Sequence, residues 1–298
     1  MWILLGIISL LALGVYDILK KVSLYNNAVL PVLFFSTLAS ALFFFPTWIM
    51  SYTVEGFDQY ENFYIPAVSF KVHLLIILKA LIVISSWILS FLALKNLPIS
   101  IVSPIRSTGP VWTLIGAILI YGETLNTWQW VGMVVALIFF YLFSIAGNKE
   151  GVDFKTNKWV WFIFLATLIG TISTLYDKYL IAHYNRLAIQ AYFSFYQVPI
   201  MALVLWAFWY PKRKKLTAFR WQWTIPLIGI VLVLGDFAYF YALTFEDSLV
   251  SILSLLRRSS VIISFAAGAL LFKEKNILHK GLILLGIIAG ILLIMMGS

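Results

Sequence analysis

The chain has 298 residues, of which 62% are apolar and 11% charged, with a mean hydropathy of +0.98 and no cysteine. A soluble domain carries roughly a quarter charged residues, and no water-soluble fold of this size hides so much apolar surface, so the chain belongs in a membrane. The missing cysteines exclude disulfides, thiolate metal sites and cysteine nucleophiles. The net charge of +9 would suggest nucleic acid in a soluble protein; here it fits loops held on the cytoplasmic side.

A first apolar run covers 2–19 with no basic residue before it and no small-residue cleavage site, which predicts a retained helix and not a removable signal peptide. Further runs follow at 28–50, 72–94, 98–121, 128–146, 159–180, 187–209, 224–244, 248–272 and 278–296. Each is close to the ~20 residues that cross a bilayer as a helix, and none shows the alternation of a barrel strand. Trp2, Trp48, Trp128, Trp130, Trp159, Trp161, Trp209, Trp221 and Trp223 lie near run ends, as interfacial anchors do, while Trp87 sits in mid-span. The expected fold is all-α and integral to the membrane, with ten transmembrane helices, short loops and no sizeable soluble domain.

The two halves resemble each other. Tyr16-Asp17 closes the first run and Tyr176-Asp177 the sixth; Tyr25-Asn26 opens the second and Tyr184-Asn185 the seventh. At an ungapped offset of 151 residues, Ser100, Ser103, Arg106 and Glu123 fall on Ser251, Ser254, Arg257 and Glu274. Shared Leu and Ile could be chance, but a shared polar register is not. The expectation is a duplication, 1–147 and 155–298, of five helices each. An odd number of spans makes the second copy enter from the opposite side, an inverted repeat of the kind that secondary transporters use for alternating access. Odd-numbered loops hold 14 of the 21 Lys and Arg, counting Lys20, Lys21 and Lys280 among them, and even-numbered loops hold 3. Positive-inside then puts odd loops in the cytoplasm of a cell (inner) membrane and both termini outside.

These features, with the segment Ser103-Pro-Ile-Arg-Ser-Thr-Gly-Pro110 followed by Gly122-Glu-Thr-Leu125, resemble the ten-helix EamA-type members of the drug/metabolite transporter superfamily. A looser second copy runs from Ser254 through Arg257, Arg258 and Ser260 to Phe272-Lys-Glu-Lys275. The resemblance covers essentially the whole chain. It implies a carrier of small metabolites, often an exporter, with its site between the halves. Relatives commonly keep both termini in the cytoplasm, which the charge count reverses.

A charge inside a span costs about 2.5–3.5 kcal/mol on insertion scales and needs a reason. Arg106 lies eight residues into the fourth run and Arg257 in the matching place of the ninth, with Arg258 beside it. One reading is an anion clamp from each half, suited to carboxylate or phosphate; the other is structural pairing with a buried acid or helix carbonyls. Asp236 in mid-span is either a carrier of a coupling proton or the permanent partner of an arginine. Lys79 in the third run either reaches the path or snorkels to an interface. Asp17 and Asp177 are end-of-helix ion pairs or repeat-related gates.

Pro98, Pro104 and Pro110 remove backbone donors from one helix; Ser103, Ser107 and Thr108 could satisfy the freed carbonyls or bind substrate. Trp87, Tyr239 and Tyr241 line the path or simply pack, and Glu123 and Glu274 fix turns. Gly286-Ile-Ile-Ala-Gly290 fits packing within the chain or a dimer, so monomer and homodimer stay open. His73, His183 and His279 lie scattered, with no metal or nucleophile spacing, so no cofactor, metal site or enzymatic activity is expected. The function expected is secondary transport of a small polar or anionic metabolite, with a proton as the candidate coupling ion and the lipid bilayer as surroundings; the alternative is a flippase for an anionic lipid-linked intermediate.

Overall fold

The computed structural model describes residues 2–109, 111–112, 115–116, 119, 126–148, 152, 154–242, 245, 257, 260–272 and 277–296. Among them the α-helices are α1 (Trp2–Leu24), α2 (Val29–Thr53), α3 (Phe70–Asn96), α4 (Ile99–Ser107), α5 (Thr127–Asn148), α6 (Lys158–His183), α7 (Arg186–Val204), α8 (Thr224–Ala242), α9 (Ser260–Leu270) and α10 (Ile277–Met296). Six helices are long and apolar enough to cross a membrane: α1, α2, α3, α6, α7 with its continuation to Lys212, and α8. Shorter apolar helical stretches lie in α5, α9 and α10.

Local chemistry sets the ends. Asn157 caps α6 by accepting from the Trp159 amide, and Asn185 caps α7 by accepting from Leu187 and Ala188. Asn126 and Gln129 exchange side-chain-to-backbone bonds at the start of α5, a reciprocal cap. Glu123 and Glu274, expected to fix turns, lie outside the described residues. Pro98 caps α4 without a side-chain bond, and Pro104 sits inside it. The Thr108 hydroxyl donates to the Ile105 carbonyl and accepts from the Trp112 indole, so it is committed to its own helix.

The principal packing pairs mirror one another when each helix is exchanged for the one five places along. Contact of α1 with α8 matches α6 with α3; α2 with α8 matches α7 with α3; α1 with α9 matches α6 with α4. The pairs α2–α7, α4–α9 and α5–α10 map onto themselves. Small residues allow the closest approaches. A Cβ on Gly229 of α8 would overlap the Ser36 carbonyl of α2, one on Gly286 of α10 the Phe139 ring of α5, and one on Gly290 the Ala136 backbone. The Gly286–Gly290 pair is thus spent on packing inside the chain.

Hydrogen bonds gather the connections at two ends. Asn27, between α1 and α2, donates to the Arg220 carbonyl at 2.7 Å and accepts from the Arg220 amide at 2.8 Å. Lys95, in the last turn of α3, reaches the Asn27 carbonyl at 2.9 Å and the Thr217 hydroxyl at 2.7 Å. Lys21 donates to the Leu94 and Leu97 carbonyls at the end of α3. At the other end Arg186 joins Asn62 of the α2–α3 connection to the Phe240 carbonyl of α8. The odd end therefore gathers the first, third and seventh connections, and the even end the second connection, the start of α7 and the end of α8. Lys20 and Lys280, counted with the loops, are corrected: both lie inside helices, 1% and 0% exposed. α1 runs to Leu24, five residues past the apolar run, and Lys280 donates to the buried Ser100 hydroxyl at 2.6 Å.

Candidate functional site: a column of ion pairs

Three groups of charges step through the bundle. Near the even end Lys79 of α3 meets Asp177 of α6 at 2.7 Å, with the Phe193 ring of α7 4.7 Å from the ammonium. Next, Arg257 meets Asp236 of α8 at 2.7 Å and lies over the Tyr239 ring at 4.3 Å. Toward the odd end, Asp17 of α1 takes Lys20 at 2.6 Å and Arg106 of α4 at 2.8 Å on one carboxylate oxygen; the other accepts from Ser264 of α9 at 3.1 Å. Lys20 also sits 4.0 Å over the Tyr16 ring and 5.6 Å from Phe91. At 1.5 Å per residue, Asp177 and Asp236 lie about 9 Å from the even ends of their helices, and Asp17 and Arg106 about 10 Å from the odd ends. Asp236 and Arg257 are within electrostatic reach of Asp177, and Asp236 of Tyr16, so the three groups form one network.

Accessibility along the column is uneven. The side chains of Asp177, Asp236, Arg257 and Arg106 keep 30%, 33%, 21% and 39% of their surface, whereas Asp17 keeps 12% and Lys20 1%. Below Lys20 the odd end is sealed by buried Ser23, Asn27 and Leu97. At the even end a cavity of about 560 Å³ is lined by Asp58, Glu61, Asn62, Tyr64, Arg186 and Tyr241. Among the described residues the even end thus holds a cavity, whereas Ser23, Asn27 and Leu97 at the odd end are buried.

Charge balance gives the column its sign. Among the described residues four cations (Lys20, Lys79, Arg106, Arg257) face three carboxylates (Asp17, Asp177, Asp236). The surplus lies where Lys20 and Arg106 share Asp17. Lys20 is enclosed, whereas Arg106 keeps 39% of its side-chain surface.

Six charged residues singled out from sequence (Asp17, Lys79, Arg106, Asp177, Asp236, Arg257) meet in this network. Lys79 pairs inward and does not snorkel to an interface. Trp87 packs edge-on against Phe193 at 6.3 Å and lines a narrow crevice with Tyr16 and Phe91. Ser103 is buried on α4, 5% exposed. Tyr241 lies in the even-end cavity. Arg258 and the Ser107 side chain lie outside the described residues. Lys20, Ser264 and Phe193 were not found by sequence reasoning. The spacing of Lys20 three residues after Asp17 was the one available signal. No cluster of three metal-ligating side chains occurs among the described residues.

Apolar helices of membrane-crossing length packed around a column of ion pairs mark an integral multi-pass membrane protein. The profile of the EamA-like transporter family matches residues 1–145 and, a second time, 157–296. The chain belongs to the EamA-like transporter family, and so to the drug/metabolite transporter superfamily, whose members move small molecules across a bilayer and are generally not enzymes. No curated protein matches the chain.

Proposed function

We propose that the chain is a secondary transporter for a small anionic or polar metabolite, built from two inverted five-helix repeats, 1–147 and 155–298, that cross the membrane ten times. The observation that carries the anionic reading is Arg106, which shares one carboxylate with Lys20 and keeps 39% of its side chain accessible. A carboxylate or phosphate entering from the even end meets the Lys79–Asp177 and Arg257–Asp236 pairs first. It reaches Arg106 where the described charges sum to a positive surplus. Binding there completes the neutralisation that Asp17 provides only in part, and Arg257 contributes from the second half. The mirrored packing of helices n and n+5 supports two halves that rock about the shared column. A proton on one of the column carboxylates is the candidate coupling ion. With odd loops in the cytoplasm, the open end faces outside.

Counterflow in proteoliposomes tests this reading. A thermal-shift screen of amino acids, organic acids, sugar phosphates and nucleobases identifies a stabilising solute. That solute should then show saturable counterflow, abolished by Arg106→Ala and retained by a surface variant such as Lys155→Gln. Undiminished counterflow in Arg106→Ala would remove the site. Movement of labelled lipid with no solute counterflow would favour a flippase.

A further inference from the structure

The connection between α7 and α8 carries charges that the column does not use. After Val204 the chain continues through a π-helical turn, Leu205–Trp209, and a 3-10 turn, Tyr210–Lys212. Lys212, Arg213, Lys214 and Lys215 follow in an unbroken exposed run. Among the described residues no carboxylate pairs with any of them; the Arg213 guanidinium instead stacks 3.9 Å from the Tyr210 ring and donates to the Tyr210 carbonyl.

Large aromatics flank the run on both sides. Trp206, Phe208 and Tyr210 are 70%, 64% and 52% exposed, and Trp221 and Trp223 are 49% and 77% exposed. Phe219 stacks on Phe35 of α2, and Trp221 packs edge-on to both Phe35 and Trp223, so this group is anchored to the first half of the chain. Exposed indoles at the end of an apolar helix sit at the headgroup level. The four cations are thereby held at the plane of the lipid phosphates, and Arg213 is pre-oriented by its stack.

The same connection closes the odd end. Thr217 and Arg220, two and five residues beyond Lys215, make the bonds to Lys95 and Asn27, and Ser23 meets Thr224 at 2.6 Å. Whatever holds the basic run therefore holds the strap that ties the second half to the first.

We propose that Lys212–Lys215, with the flanking tryptophans, is a binding site for anionic phospholipid headgroups of the adjoining leaflet, and that its occupancy secures the α7–α8 connection in its closed position. The site itself is independent of the substrate reading; only its effect on gating rests on alternating access. The headgroup phosphate satisfies cations that have no acid partner among the described residues. The aromatics seat in the interface beside the acyl chains. A free phosphate in solution offers the charge without that anchorage, so a bilayer lipid is the occupant.

Purified full-length protein is reconstituted in nanodiscs of phosphatidylcholine alone or with phosphatidylglycerol, and lipid retention (by native mass spectrometry) and Tm are measured. Three proteins are compared: the parent, the variant with Lys212, Arg213, Lys214 and Lys215 all changed to Gln, and a charge control, Lys155→Gln with Lys158→Gln. Phosphatidylglycerol should raise the Tm of the parent and of the control and stay bound to both. At about fivefold per surface cation, the fourfold variant should bind it more than a hundredfold more weakly. The effect should shrink as salt rises. Equal retention and equal Tm gain in the fourfold variant would overturn the site. Full stabilisation by inorganic phosphate in phosphatidylcholine discs would overturn the lipid as occupant. Lipid retained with no change in the reactivity of a cysteine placed beneath the strap, at Leu97, would overturn the effect on the connection while leaving the site.

Discussion

Asp17 holds the column together, because one carboxylate serves Lys20, Arg106 and Ser264 from three helices. Asp17→Asn leaves the enclosed Lys20 and the part-accessible Arg106 facing each other with no counter-charge, and losing one member of a buried pair costs about 3–5 kcal/mol. The expected result is a large fall in Tm in detergent. Adding Lys20→Met, which removes the more deeply buried cation, should recover most of it; a double variant no better than the single would show that Lys20 carries no charge against Asp17. Asp177→Asn should cost less, about 1–2 kcal/mol, because that carboxylate keeps 30% of its surface and water screens it. Six of the seven described column charges could be read in the sequence, because an ionised side chain within an apolar run is conspicuous. Lys20 escaped because it stands beside Lys21 at the fading edge of the run, where hydropathy marks a loop although the helix continues. Which acid meets which base could not be read at all. Arg106 and Arg257 are repeat mates, yet one pairs with an acid on α1 and the other with an acid on α8.

At the scale of elements, glycine spacing sets how closely helices approach, and the α10 pair distinguishes two kinds of crowding. A methyl on Gly286 meets the Phe139 ring, a side chain that can turn or be shortened; a methyl on Gly290 meets the Ala136 amide and the Gly132 carbonyl, which cannot. Both Gly→Ala changes should destabilise by about 1–3 kcal/mol, the usual cost of overpacking. Phe139→Ala should rescue Gly286→Ala and leave Gly290→Ala unrescued, as read by Tm and by the monodisperse fraction on size exclusion. Rescue of both would mean that α5 moves as a body. The sequence displayed this motif but not its partner, since a small-residue stripe fits a neighbouring helix and a second chain equally well. Helix existence was legible for the six runs that stand as helices long enough to cross a bilayer, whereas the fourth and ninth runs are described as helix only over Ile99–Ser107 and Ser260–Leu270. The ends were less so: α7 passes into a π-helical turn that an apolar run cannot reveal, and the Asn126–Gln129 cap lies in a polar stretch that pointed first to Glu123.

For the whole molecule, the bonds among Asn27, Lys95, Thr217 and Arg220 join the halves across the odd end, while the even end holds an open cavity. If the carrier alternates between the two faces as proposed, those bonds must break, so weakening them should shift the population toward the opposite opening. The chain contains no cysteine, and a single introduced thiol therefore reports without background. Leu97 is 2% exposed and lies beneath the connection, its carbonyl held by Lys21. Leu97→Cys should react slowly with a membrane-impermeant maleimide applied at the odd end, and at least about tenfold faster when Asn27→Ala removes both bonds to Arg220, a change of about 1.4 kcal/mol in the opening equilibrium. A cysteine at Asp58, on the rim of the even-end cavity, should become less reactive in the same variant, since a rocking carrier closes one end as it opens the other. If Leu97→Cys gains reactivity while Asp58→Cys keeps its own, the odd end frays locally and the halves do not rock. The same reagents assign sidedness: with odd loops in the cytoplasm, Lys214→Cys should label only in inverted vesicles and Asp58→Cys only in intact cells. The reverse pattern would place the basic connection outside and overturn the orientation, while leaving the coupling between the two ends intact.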